Sequence, residues 1–170
     1  MSEPTAALFQ RLTQGVYVVG VAHRDVRNAF TAAWVMQVSY DPLLLALSIN
    51  PTHASYPLLV AAGAFTVNVL RRGQFELARH FGTLSGRDTD KLAGQRWAPG
   101  PGGAPILLDA AACLQCRVAA RHAAGDHELV VAQVTGGRVL DAAAAPMTYA
   151  ETGNLDGSAA LFPGSFGPGA

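Results

Sequence analysis

The sequence predicts a mainly β protein, an antiparallel barrel with short helices set between its strands. Three observations carry that prediction. About seven short β-rich runs are spaced along the chain. Most are joined by tight turns, which favours antiparallel pairing over βαβ crossovers. The fingerprints of parallel nucleotide-binding folds, G-x-G-x-x-G after a first strand and G-x-x-x-x-G-K-S/T, are absent.

Residues 4 to 13 read as a short amphipathic helix, with Pro4 in its first turn, Leu8, Phe9 and Leu12 on its buried side, and Gly15 after it. VYVVGVA (16–22) is a β-rich run and HRDVRN (23–28) a polar turn. Strand material follows to about Ser39, although Asn28, Thr31, Trp34 and Gln37 interrupt its apolar pattern. Asp41-Pro42 breaks it, because proline disfavours helix before it and cannot donate to a ladder. LLLALSI (43–49) is a continuous apolar run of the kind a central strand shows. Asn50-Pro51 opens a turn, and Asn50 or Thr52 is placed to cap a helix over residues 54–62, with Pro57 near its start and Gly63 at its end. FTVNVL (65–70) alternates as a half-buried strand, and GQFELARHFG (73–82) is a second helix ended by Gly82. Residues 83–105 make a polar loop rich in glycine and proline, of a length that is usually functional or disordered. Residues 106–140 read as strands joined by the turn AAGDH, and the tail from 143 shows little periodicity.

The 170 residues fit one domain, with a core at about 8–150 and an extended tail at 151–170. A 50% hydrophobic and 14% charged composition argues against disorder. Zero formal charge offers no basic field for nucleic acid and no cationic stripe for a membrane, and leaves little repulsion between copies. No run approaches the ~20 apolar residues of a membrane helix, and MSEPTAALFQRLTQG lacks a signal-peptide pattern. Two cysteines point to a cytoplasmic setting without a disulfide scaffold. Cys113 and Cys116 spell C-x-x-C, yet ACLQCRVAA reads as a strand, which turns them to opposite faces. The five histidines lack metal-ligand spacing, so no metal site is expected. No G-x-S-x-G exists to form a hydrolase elbow.

Two stretches concentrate polar chemistry. NPTHASY places Asn50, Thr52, His53 and Ser55 where a strand gives way to a helix, a setting for an anion or simply for a helix cap. The long loop carries Ser85, Arg87, Asp90 and Lys91, a phosphate clamp or a solvated surface loop.

The ordered set FTAAWVMQVSYDPLLLALSIN, FTVNVL, LARHFGTLSGRDTDKLAG, GAPIL, CRV and GDHELVVAQV resembles the flavin reductase-like family across residues 8 to 150. That resemblance implies an antiparallel Greek-key split barrel that binds FMN, with FAD also admitted, and forms a homodimer. It implies an NAD(P)H:flavin oxidoreductase that supplies reduced flavin or electrons to a monooxygenase or another acceptor. By position, Thr31, Ala32, Ala33 and Trp34 would lie along the flavin ring and ribityl chain, with Trp34 equally suited to a dimer interface. Asn50, Thr52, His53 and Ser55 would sit near the ribityl or phosphate end, and Ser85, Arg87 and Lys91 would hold the phosphate. His127 would stand near the nicotinamide as the catalytic residue. DPLL replaces a frequent double proline, and the tail differs from many reductases. A non-enzymatic FMN-carrying electron-transfer module is the alternative, and a split barrel for haem or a pyridoxal-type phosphate is a third reading.

Overall fold

Strand β1 (Tyr17–His23) turns back through Arg24 and Asp25 into β2 (Val26–Ala32), pairing antiparallel over its whole length. The turn is thus two residues long, and the expected six-residue turn is corrected. Val26, Arg27 and Asn28 already belong to the strand, because an edge strand can carry polar residues where they face solvent or a partner. The computed structural model describes residues 5–164. Pro4 lies outside them, and the first helix, α1, covers Thr5–Phe9 and ends short of the expected residue 13.

The single run expected from residue 28 to Ser39 is two strands. After β2 the chain crosses Ala33 and Trp34 into β3 (Val35–Ser39), and then turns at Asp41-Pro42 into β4 (Leu44–Ile49). Helix α2 (Tyr56–Ala62), β5 (Ala64–Val69) and helix α3 (Phe75–Thr83) follow. A small ribbon pairs β6 (Trp97–Pro99), inside the segment expected as bare loop, with β7 (Pro105–Leu107) at its end. The long hairpin of β8 (Ala112–Ala124) and β9 (His127–Val139) turns at Gly125, whose φ of 67° favours glycine.

The main sheet has seven strands in the order β2-β1-β5-β8-β9-β4-β3, all antiparallel. This order forces the barrel. Laid flat, its outer strands would be about 29 Å apart at ~4.8 Å per strand. The Ala33–Trp34 connection reaches only about 11 Å. The sheet must therefore roll until β2 and β3 approach, and the connection lies along the seam.

Alternation along β1 fills both faces. Val19 and Val21 join Phe30, Leu47, Phe65, Val67 and Val130 inside the barrel, while Val16 and Val18 join Phe81, Leu92, Leu107 and Met147 outside it. Burial on both faces is why VYVVGVA reads as unbroken apolar sequence. Leu59 of α2 is fully buried and plugs the inner core. Helix α3 docks on the outer face through Ala78 and Phe81, three residues apart. A buried phenylalanine contributes about 1.5–3 kcal/mol. The exposed Glu76–Arg79 pair on the same helix contributes about 0.2–0.5 kcal/mol, so packing rather than charge holds it.

Cys113 pairs across the ladder with Asn68, and Cys116 with Phe65. They occupy opposite faces, both buried, and burial pushes the Cys116 thiol up to about 12. The aperiodic tail is tied down at residues 146–148: Thr148 bridges to Gly15, Pro146 to Arg71, and Met147 is 1% exposed between them. Among the described residues no helix is long and apolar enough to cross a membrane.

Candidate functional site

The turn after β4 and the loop after α3 meet. The Asn50 Oδ1 accepts from Thr52 N at 2.9 Å and from Thr52 Oγ1 at 2.8 Å, closing the turn on itself. Neither residue caps α2, which corrects the expected cap. The helix starts two residues later than expected, at Tyr56, with Pro57 in its first turn where a missing N–H costs nothing. Ser55 occupies the cap position without a capping bond, because its hydroxyl accepts from Asn28 Nδ2 at 2.9 Å. Ser85 Oγ accepts from Arg87 N, which shapes the loop and aims Arg87 back at the turn. There Arg87 Nη2 donates to Thr52 O at 3.3 Å.

Lys91 is the unusual member. It is 2% exposed, and Nζ donates to Phe81 O at 3.1 Å. Among the described residues no carboxylate reaches ion-pair distance of it. A buried ammonium without a counter-charge is costly, and burial pulls Lys91 down to about 8. It remains charged at neutral pH. His53 is held down to about 4, first by burial and then by the charges of Lys91 and Arg87. Its Nδ1 accepts from Ser55 N at 3.1 Å, so the neutral ring carries its proton on Nε2. Lys91, Arg87 and neutral His53 thus gather donors at one place, and neither cation forms a salt bridge among the described residues.

The seam crossing supplies a second surface. Thr31, Ala32 and Ala33 are half-buried, and Trp34 is 47% exposed. The Thr31 hydroxyl donates to Ala78 O at 2.7 Å, locking β2 to α3. The two alanines leave backbone amides approachable. The β4–β9 ladder ends on Ile49↔Glu128, which brings His127 beside the start of the Asn50 turn. The His127 ring packs 4.8 Å from the Trp34 ring, and its Nδ1 donates to Asp126 at 2.8 Å. The structure therefore groups the expected residues twice: Thr52, His53, Ser55, Ser85, Arg87 and Lys91 in one group and Trp34 with His127 in the other, with Asn50 between them, bonded to Thr52 and next to the strand end that carries His127.

Sequence reasoning missed Asn28. It is 6% exposed, donates to Ser55, and accepts from Ala29 N at 2.8 Å. A Cβ on Gly86 would collide with its Nδ2, so the glycine lets the loop lie against it. The signal, a polar residue at an inward position of β2, was visible as a break in the apolar pattern, but nothing in the sequence tied it to the turn or the loop. Beyond Asn28 a cleft of about 650 Å³ opens between β2 and the loop, reaching Asp25, Arg27 and Trp97.

Residues 9–156 match the model of the flavin reductase like domain. The chain belongs to that family. This flavin reductase-like chain is 34% identical over 133 residues to diflavin flavoprotein A 1 from Synechocystis, covering 78% of itself and 23% of that protein. Against the high molecular weight rubredoxin of Moorella thermoacetica it is 35% identical over 141 residues, covering 82% of itself and 61% of that protein. It thus spans about a quarter of the length of the diflavin flavoproteins it matches. Among solved structures, the NADH:FAD oxidoreductase SgcE6 of Streptomyces globisporus aligns with a TM-score of 0.78 at 28% identity over 83% of each chain. An FMN-binding protein from Thermus thermophilus aligns with a TM-score of 0.74 at 29% identity, over 82% of this chain and 78% of that one. The rolled antiparallel sheet is the split barrel of this family.

Proposed function

We propose that this chain binds a flavin by its phosphate at Lys91 and Arg87, lays the ring along residues 31–34, and reduces it with NAD(P)H. The observation that carries the reading is Lys91, buried at 2% exposure without a carboxylate partner at the end of a wall of small residues. A bound flavin supplies the hydride-accepting chemistry. The chain's residues bind, orient and exclude water. Lys91 and Arg87 neutralise the phosphate, neutral His53 offers an Nε2 donor, and Ala32 and Ala33 allow backbone amides close to the ring. His127, steadied by Asp126 and Trp34, orients the nicotinamide.

An anaerobic titration of the flavin-loaded protein tests this directly. NADH or NADPH should bleach the flavin absorbance, and His127→Ala should slow bleaching by roughly tenfold while flavin affinity stays within about twofold. Bleaching by neither nicotinamide removes the reductase reading. An unchanged rate in the variant removes the role of His127.

The charge state of Lys91 makes binding pH-dependent. An anion at the clamp raises its pKa from about 8, so binding above that pH takes up a proton. FMN affinity should therefore be full below about pH 8 and fall as pH rises past it, while riboflavin affinity stays flat. Parallel curves for the two ligands would remove Lys91 from the phosphate.

The relatives named diflavin flavoprotein and rubredoxin, both longer than this chain, favour a second reading. In it the domain is an electron-transfer module whose flavin is reduced by a protein, and nicotinamides leave it oxidised. Either way the chain works as a homodimer: edge strand β3 exposes Met36 at 64% and Val38 at 46%, flanked by Tyr40 at 88%. Monomeric edge strands are normally blunted with charge or proline. A monomer in sedimentation would remove the dimer.

A further inference from the structure

Of the five histidines, His80 has no part in the site described so far, yet it touches Lys91. Lys91 follows a run of exposed loop residues, 86–90. Its ammonium meets one carbonyl, Phe81 O, and no carboxylate among the described residues. Phe81 lies in the last turn of α3, where carbonyls lack an intrahelical partner and a cation is favoured. A carbonyl carries only partial charge, so it lessens the desolvation cost without cancelling it. A long, flexible side chain in an exposed loop ordinarily keeps its charged head in water. Something must hold the main chain so that this one stays inside.

Helix α3 does so through two adjacent residues. His80 Nε2 lies 2.7 Å from Lys91 O. A carbonyl only accepts, so Nε2 carries the proton and donates. The His80 ring is half-buried and meets the Phe81 ring edge-on, with centroids 4.9 Å apart and planes at 87°. His80 and Phe81 thus grip Lys91 at both ends, ring to main-chain carbonyl and carbonyl to ammonium. The next residue, Leu92, is buried in the outer core, and its N–H donates to Asp90 Oδ1 at 2.9 Å. The backbone at Lys91 is therefore fixed on both sides. The same helix accepts from Thr31 at Ala78 O, so α3 is bonded both to the wall of small residues and to Lys91. We infer that His80 is a positioning residue for phosphate binding: its bond to Lys91 O keeps the ammonium inside, and it acts through Lys91 rather than on the ligand. The inference rests on the phosphate role of Lys91 proposed above.

Titrations with FMN and riboflavin test it without turnover. His80→Phe keeps a ring against Phe81 and loses the donor. It should weaken FMN by about tenfold, the worth of one hydrogen bond, and leave riboflavin within about twofold. His80→Gln loses the ring but sets an amide N–H as many bonds from Cα as Nε2, and should restore FMN to within about threefold of the parent. Adding His80→Phe to Lys91→Met should cost FMN nothing further, because residues that act through one another are not additive. Three results would each overturn the inference while leaving Lys91 on the phosphate. They are an unchanged FMN affinity or an equal loss of riboflavin in His80→Phe, no restoration by His80→Gln, and a full further loss on top of Lys91→Met. If His80→Phe does not fold, His80→Asn, whose amide stops one bond short, takes its place with the same expected losses. FMN binding to the parent no tighter than riboflavin removes Lys91 from the phosphate, and the inference goes with it.

Discussion

Replacing Lys91 by Met should make the flavin-free protein more stable and its grip on phosphorylated flavin much weaker. Burial lowers Lys91 from 10.5 to about 8, so the folded state disfavours the charged form. The penalty is present in full below about pH 8 and fades as pH rises toward 10.5. At about 1.36 kcal/mol per unit this is at most about 3 kcal/mol near neutral pH. Methionine keeps the stem and its packing and removes the charge. The expected gain is about 1–3 kcal/mol, or several degrees of melting temperature at about 2–4 °C per kcal/mol for a chain of this length. Against that, losing a buried cation opposite a phosphate costs about 2–5 kcal/mol of binding, roughly a hundredfold in affinity. Riboflavin, which has no phosphate, should bind Lys91→Met as it binds the parent. Calorimetry on the empty protein and titration with both flavins read the two arms. A lower melting temperature would place Lys91 among structural residues, and an equal loss of riboflavin would show a distorted pocket.

Such an opposition is the usual sign of a residue kept for binding rather than for folding. It also shows what could be read from the chain. The barrel was legible because its strands obey simple rules: unbroken apolar runs where β1 and β4 are buried, alternation where β5 is half-buried, and Gly125 at a turn. The break between β2 and β3 was not legible. Ala33 and Trp34 carry no turn signal, and only sheet order shows that the chain leaves one edge there and joins the other. The proposed clamp was half legible. Ser85, Arg87 and Lys91 have the right chemistry in sequence, but a solvated loop has the same composition. What distinguishes them is Lys91 at 2% exposure in a loop whose other charged residues are exposed, and burial of one loop residue is a tertiary fact. Trp97 and Arg27 are seventy residues apart and meet only because the β6–β7 ribbon packs beside β2.

Asn28 joins these parts, and its replacement should cost both stability and binding. Its side chain donates to Ser55 at the head of α2, accepts from the buried Ala29 amide, and supports Gly86 of the loop. Leucine has similar volume but no polar atoms, so Asn28→Leu leaves a buried amide and a buried hydroxyl without those partners. Each orphaned group costs about 1–3 kcal/mol, for a total of about 2–6 kcal/mol. Asn28→Asp separates the two roles. It keeps an acceptor for Ala29 and can accept from Ser55, so its stability cost should be smaller, about 1–2 kcal/mol. Its carboxylate, however, stands in the cleft shared with Arg87 and Lys91. It should pair with the clamp's charge and repel phosphate, weakening FMN and FAD by at least roughly tenfold while sparing riboflavin. Denaturant titration and flavin titration should therefore rank the variants in opposite order: Leu worse for folding, Asp worse for the phosphate-specific part of binding. The same ranking in both assays would reduce Asn28 to a structural residue, and riboflavin falling with FMN in Asn28→Asp would do the same.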